Sequence, residues 1–200
     1  MKFTATLTLA AMALITGSAA TFAGDDGSQY KDLYELKELH AAFHKAVSHA
    51  GISTAAKAQA LAEVLALWTD DGVLISVSAS GSVTYSGKGT PGTASCDAGS
   101  QTLCDFYANH AGSFVLGRDW VSLTPIFTES INLLDRESAE LYFQCIYFDV
   151  ANNDAAKSNA TFGLPTMTHT ALARKVNGRW LFAFAEASSV ALPTLDAYQQ

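Results

Sequence analysis

The sequence predicts an α+β chain in which helices come first and a run of antiparallel strands follows. Three observations carry that expectation. Apolar residues recur at the helical period over residues 29–50. From Trp120 onward the pattern changes to long runs rich in β-branched and aromatic residues. Near the end, Asn177-Gly178 stands between two such runs, the dipeptide best suited to a tight type I′ hairpin. Helices clustered ahead of hairpins imply helices packed on one face of a sheet.

The elements follow in order. On the first helix, Gln29–Ala50, Leu33, Leu36, His40, Phe43 and Val47 share one face, and Gly51 ends it. Ser53 or Thr54 can cap a second helix carrying Leu61, Val64, Leu65 and Trp68, which Asp70-Asp71-Gly72 would stop. Val73–Val77 reads as a strand continued after a bend by Val83–Tyr85. Gly87, Gly89, Pro91 and Gly92 make a loop. Gln101–His110 reads as a short third helix with Leu103, Phe106 and Tyr107. Val121–Leu134, Glu140–Val150, Pro165–Val176 and Arg179–Val190 read as four long antiparallel strands. A curved sheet closed over by three helices encloses a cone-shaped cavity, a common place to hold a small apolar molecule.

The ends and the composition bound the function. Lys2, the apolar run Leu7–Ile15 and the small residues Gly17 to Ala20 have the order of a secretory signal, with Ala23 as the preferred cleavage point and Ala20 as the alternative. The run is too short for a membrane helix, which needs about 20 apolar residues. The expected organisation is therefore a signal peptide at 1–23 and one domain at 24–200, secreted or periplasmic, with no membrane contact after cleavage. With 49% hydrophobic and 16% charged residues the chain is globular rather than disordered. Its formal charge is −7, and loss of Lys2 would make it more acidic still. Such a protein has no general attraction to phosphate backbones, so nucleic acid is not an expected partner. Of the three cysteines, Cys96 and Cys104 flank a short polar segment and are expected to pair in an oxidising compartment. Cys145, inside an apolar strand, is expected to be an inert core thiol.

The order of several segments resembles a known family. ALAEVLALWTDDGVLISV (residues 60–77) is similar to the passage from second helix to first strand in SnoaL-like proteins of the nuclear transport factor 2-like superfamily. YSGKG (85–89), LCDFYANHAG (103–112), LLDRESAELYFQCIYF (133–148) and RKVNGRWLFAFAEAS (174–188) resemble its glycine turn, third helix, central strands and closing hairpin. The segment Gly89–Gly99 looks like an insertion. The resemblance implies a cone-shaped fold, a small apolar ligand, no cofactor, and pairing into a homodimer through the open sheet face. It also offers a test. Steroid isomerases of this superfamily use a tyrosine on the first helix and two aspartates on strands. Those positions fall here at Phe43, at Ser76, and at Thr170 or, with a shift of one, His169. None of the three carries over, so that activity is not expected.

The residues left to carry chemistry are few. His40, on the apolar stripe of the first helix, is the candidate general acid/base. A core histidine held by a hydrogen bond is the plainer alternative. Tyr107 and His169 could join it as polar groups, with Phe43 and Trp68 as apolar lining of the ligand site. His44 stands four residues from His40, a spacing that suits a shared metal, but no third ligand follows in a protease pattern and no metal is expected. Asp71 is expected to support a turn. The facing of Glu186 is undetermined, and Asn159-Ala160-Thr161 fits a glycosylation acceptor. Three readings stay open: a small-molecule binding domain, an acid–base enzyme of isomerase, dehydratase or hydrolase type, and a protein-interaction domain.

Overall fold

The computed structural model describes residues 26–48, 54–78, 81–89, 96–110, 120–123, 129–149 and 167–189. The expected signal peptide and the tripeptide 159–161 lie outside the described residues. Helix α1 spans Asp26–Ala46 and α2 Thr54–Ala66; α3 is a single turn, Leu103–Asp105, continued by a π-helical turn, Phe106–His110. The strands are β1 Trp68–Ser78, β2 Gly81–Ser86, β3 Trp120–Leu123, β4 Ser130–Leu133, β5 Ser138–Asp149, β6 Met167–Val176 and β7 Arg179–Ser189.

They form one curved sheet in the order β2-β1-β7-β6-β5-β3, with β4 also on β5. Pairing is antiparallel except between β1 and β7, which run parallel. The expected all-antiparallel sheet is therefore corrected to a mixed one. A parallel pair needs a long crossover, and here nearly the whole domain separates its two strands.

Two other expectations are corrected. Trp68 does not end α2; it opens β1, paired with Phe182. The register then shifts between Trp68 and Val73, so Asp70-Asp71-Gly72 is an irregularity inside a strand and not a helix stop. Gly72 belongs there because a Cβ would lie 2.9 Å from the Trp68 ring. Nor is Val121–Leu134 one strand. β3 pairs with Ile146–Asp149 and β4 with Ala139–Tyr142, two separate stretches of β5 with Phe143–Cys145 between them. In sequence, Pro125 falls between β3 and β4, and a proline has no N–H to donate to a ladder.

Alternation along the strands decides what lies under the helices. Ala139, Leu141, Phe143 and Cys145 of β5 are buried, as are His169, Ala171 and Ala173 of β6. On β7 the phase changes: Trp180 and Phe182 point inward, then Ala185 and Ala187. The change follows from a bulge, since Leu172 pairs with Phe184 but Ala173 pairs with Phe182, leaving Ala183 as the extra residue. From the helix side, Leu36, Leu39, His40, Phe43 and Val47 are buried at helical spacing. The hairpin between β6 and β7 turns at Asn177 and Gly178, with φ of 52° and 77°, as a type I′ turn requires. Cys96 and Cys104 form the expected disulfide, and Cys145 is a buried thiol outside it.

Asp32 tethers α1 to that hairpin. Its Oδ1 accepts from Trp180 Nε1 at 3.1 Å and from Lys175 Nζ, while the Lys175 ammonium lies 5.4 Å from the Trp180 ring centre. Asp32 is buried, so removing its carboxylate strands a buried indole N–H. Asp32→Ala should cost about 2–3 kcal/mol in urea unfolding, whereas Lys31→Ala, at an exposed pair with Glu35, should change stability by no more than about 0.5 kcal/mol. Equal effects would remove Asp32 from this role.

Candidate functional site

Helix α1 and the centre of the sheet meet at an aromatic cluster, and the polar groups sit within it. His40, Phe43 and His44 fall three and four residues apart and so share the face of α1 that lies on the sheet. Below them, Phe143 of β5 is paired with His169 of β6. That register stacks the two rings with centroids 4.8 Å apart and planes 10° from parallel. His40 lies 4.3 Å from Phe143, centroid to centroid, and Phe43 lies 5.8 Å from His169. On the other side, Glu129 immediately precedes Ser130, the partner of Tyr142. It therefore stands next in line to Phe143.

Glu129 is the site residue that sequence reasoning misses. Its Oε1 lies 2.5 Å from His40 Nδ1. The other nitrogen, His40 Nε2, is 2.7 Å from His44 Nε2, and His44 Nε2 lies 4.0 Å from Cys145 Sγ. With a carboxylate at Nδ1, the hydrogen-bond network assigns the proton of neutral His40 to Nδ1, which donates to Glu129. His40 Nε2 then accepts from His44 Nε2–H. The chain Glu129–His40–His44 is thus a row of hydrogen bonds running from a partly exposed carboxylate into the core.

Burial decides the protonation of this row. It pulls His40 below the ordinary imidazole range, against the opposing pull of the Glu129 carboxylate. Burial, with His40 and His169 adding to it, brings His44 down to about 3. Burial and then His40 bring His169 down to about 3. All three are neutral near pH 7. His169 Nε2 is buried and has no hydrogen-bond partner among the described residues. Tyr107 is buried, and that burial raises its phenol well above the usual range, so it keeps its proton.

The remaining candidates divide clearly. Tyr107 packs its ring 6.4 Å from that of Trp68, and Trp68 packs on Phe182, on the α2 side of the core. Cys145 links the two regions, being within reach of His44 and close enough to Tyr107 to raise its phenol. The structure therefore brings His40, Phe43 and His169 into one cluster, with Tyr107 and Trp68 adjoining through Cys145. Two other residues fall outside it. Glu186 is exposed and bonded to Ser188, because the Ala183 bulge turns it outward. Asp71, expected to accept turn hydrogen bonds, instead takes Arg174 at 2.7 Å across the sheet, which with Thr69 holds its carboxyl below the usual range. Of the two positions aligned with the late isomerase aspartate, His169 faces inward and Thr170 outward. Among the described residues no group of three or more His, Cys, Asp or Glu is arranged to hold a metal ion.

No protein-family model and no curated protein matches the chain. Solved structures do. A hexachlorocyclohexane dehydrochlorinase of LinA type 3 from Novosphingobium barchaimii LL02 is 12% identical, with a TM-score of 0.54 over 86% of this chain and 94% of that one. A cystatin-like-fold protein of unknown function from Nostoc punctiforme PCC 73102 is 16% identical, at 0.52 over 82% and 95%. An NTF-2 like protein of unknown function from Shewanella oneidensis MR-1 is 12% identical, at 0.50 over 79% and 99%. At such identities the likeness is one of architecture, and it matches the one implied by the SnoaL-like resemblance: this chain has the nuclear transport factor 2-like α+β cone fold.

Proposed function

We propose that the chain binds a small, largely apolar molecule beside the histidine cluster and moves a proton on it, as an acid–base enzyme of isomerase or dehydratase type. The observation that carries this reading is the Glu129–His40 contact. An imidazole whose Nδ1–H is held by a carboxylate has a fixed tautomer and an ion partner for the charge it gains, the two things a general base needs. A proton accepted by His44 at Nδ1 can be matched by transfer of its Nε2 proton to His40 Nε2, leaving the positive charge beside Glu129. Phe43 and Phe143, packed 5.9 Å apart between centroids, give the histidines an apolar surround, which fits a ligand of the same character. One similar fold, the dehydrochlorinase, belongs to an enzyme, which supports a reaction without naming this one. A binding role without turnover is favoured by a different observation: His40 Nε2 is already engaged by His44.

Deuterium separates the two. Protein bearing its retained ligand is transferred into heavy water and the ligand mass followed. Proton transfer adds deuterium at the reacting carbon, and His40→Gln should slow that at least about 100-fold with the ligand still bound. No exchange in the unaltered protein would leave a binding domain. Neutral His40 is the reactive form, so exchange has its full rate at neutral pH and falls as pH drops through a pKa below the ordinary imidazole value. Glu129→Gln takes away the interaction that raises this pKa, so the acid limb should move to lower pH while the rate falls.

Stability should follow pH through the same residues. His44 and His169 titrate near 3 in the folded chain and near 6.5 when unfolded. Between those values the unfolded chain binds more protons, so stability is fully present above about pH 6.5 and lost as pH falls toward 3. His169→Phe keeps the stack on Phe143 and removes one such group. Its acid unfolding, followed by circular dichroism, should shift to lower pH; an unchanged midpoint would mean His169 is not buried neutral.

We also propose export and pairing. The Cys96–Cys104 disulfide supports an oxidising compartment, and Tyr142 and Leu172 stand 39% and 42% exposed on the outer sheet face. Native mass spectrometry of protein from its source should give a dimer of chains beginning at Gly24. A monomer mass, or a chain still starting at Met1, would refute the corresponding part.

A further inference from the structure

The outer surface of α1 carries a second set of residues that the cluster does not use. Tyr30 and Tyr34 are one helical turn apart and stand 74% and 64% exposed. Leu33 and Lys37 continue the same face. Together with Glu129 and Ile131 of the β4 side they line an open cleft of about 630 Å³. That is the size of a site for a small organic molecule. The cleft and the buried row share one residue, because Glu129 faces the cleft and holds His40.

The chemistry of the walls is selective. Two exposed phenol rings on one side and aliphatic Leu33 and Ile131 beside them offer flat apolar contact to a ring. Lys37 offers the only positive charge among the lining residues. Lys31, Lys88 and Lys175 are each paired with a carboxylate, whereas Lys37 has no ion-pair partner among the described residues. An exposed, unpaired ammonium on the rim of an aromatic-walled cleft is placed to receive an anion. Glu129, at the opposite chemical pole, repels a second negative charge and so favours a neutral part of the ligand on its own side of the cleft.

We infer that this cleft between α1 and β4 binds a ring compound bearing one carboxylate, with Lys37 taking the carboxylate and Tyr30 and Tyr34 holding the ring. The inference rests on the proton-transfer reading only for what happens beyond Glu129; binding itself does not require it. Lys37 is then a specificity-determining residue, since it selects charged over neutral rings without touching the reacting atoms.

Titration calorimetry on the intact chain with 1-naphthoate and with neutral 1-naphthylmethanol tests it. Naphthoate should bind more tightly than the alcohol, and added salt should narrow the gap. Lys37→Gln should weaken naphthoate by about tenfold, as loss of one charge-assisted contact does, and leave the alcohol unchanged. Lys37→Arg should restore naphthoate. Tyr34→Ala should weaken both. Glu129→Gln should tighten naphthoate, by removing a like charge. Equal affinity for naphthoate in the unaltered chain and Lys37→Gln, or no heat with either probe, would overturn the cleft. Deuterium exchange that persists in His40→Gln, with naphthoate still selected by Lys37, would overturn the proton-transfer reading and leave the cleft standing.

Discussion

Phe143 is the point at which sheet and helix are fixed to one another, and the register around it determines the rest. It is paired with His169 on one side and adjoins Glu129 on the other. A slip of one residue in β5 would send Phe143 and Cys145 to the solvent face and bring Tyr142 and Gln144 under α1. The small inward residues of the neighbouring strands, Ala139, Ala171, Ala173, Ala185 and Ala187, matter for the same reason. They leave room for Phe43, Phe143, Phe182 and the histidine rings to fill the space between α1 and the sheet at interior density.

Given that packing, two effects compete over the charge of His40. Burial disfavours the imidazolium, and Glu129 favours it; burial wins. The same contest has no second side at His44 and His169, where other histidines only add to the cost of a proton. The row is therefore graded: the imidazole nearest the carboxylate takes a proton most readily, and those deeper take one with difficulty. A proton entering at His44 runs downhill toward Glu129. Removing the carboxylate would leave two hydrogen-bonded neutral imidazoles, His40 and His44, without the charge that draws the proton outward.

Much of this is legible in the sequence because it depends on local rules. The stripe on α1 follows from 3.6-residue spacing, and it places His40 and Phe43 among the buried residues. Asn177-Gly178 and the Cys96–Cys104 loop follow from turn chemistry and spacing. What escapes depends on register between distant strands. Glu129 lies 89 residues from His40, and nothing near it in the chain marks it as a partner. Trp68 has the spacing of a helical residue relative to Leu61 and Leu65, yet tertiary pairing with β7 makes it a strand. The outward turn of Glu186 depends on one extra residue, Ala183, among small and aromatic neighbours that show no bulge signal.

His169 shows how far the packing alone can be pressed. Its ring stacks on Phe143 as a phenylalanine would, so apolar contact does not call for histidine at this position. Its Nε2 is buried without a partner among the described residues, and an unmade hydrogen bond of this kind costs about 1–3 kcal/mol. A phenylalanine there would keep the stack and avoid that cost. The position thus trades stability for an inward-facing nitrogen, in the same aromatic cluster where His40 is held by Glu129. That trade is the one expected where a polar group is kept for something other than folding.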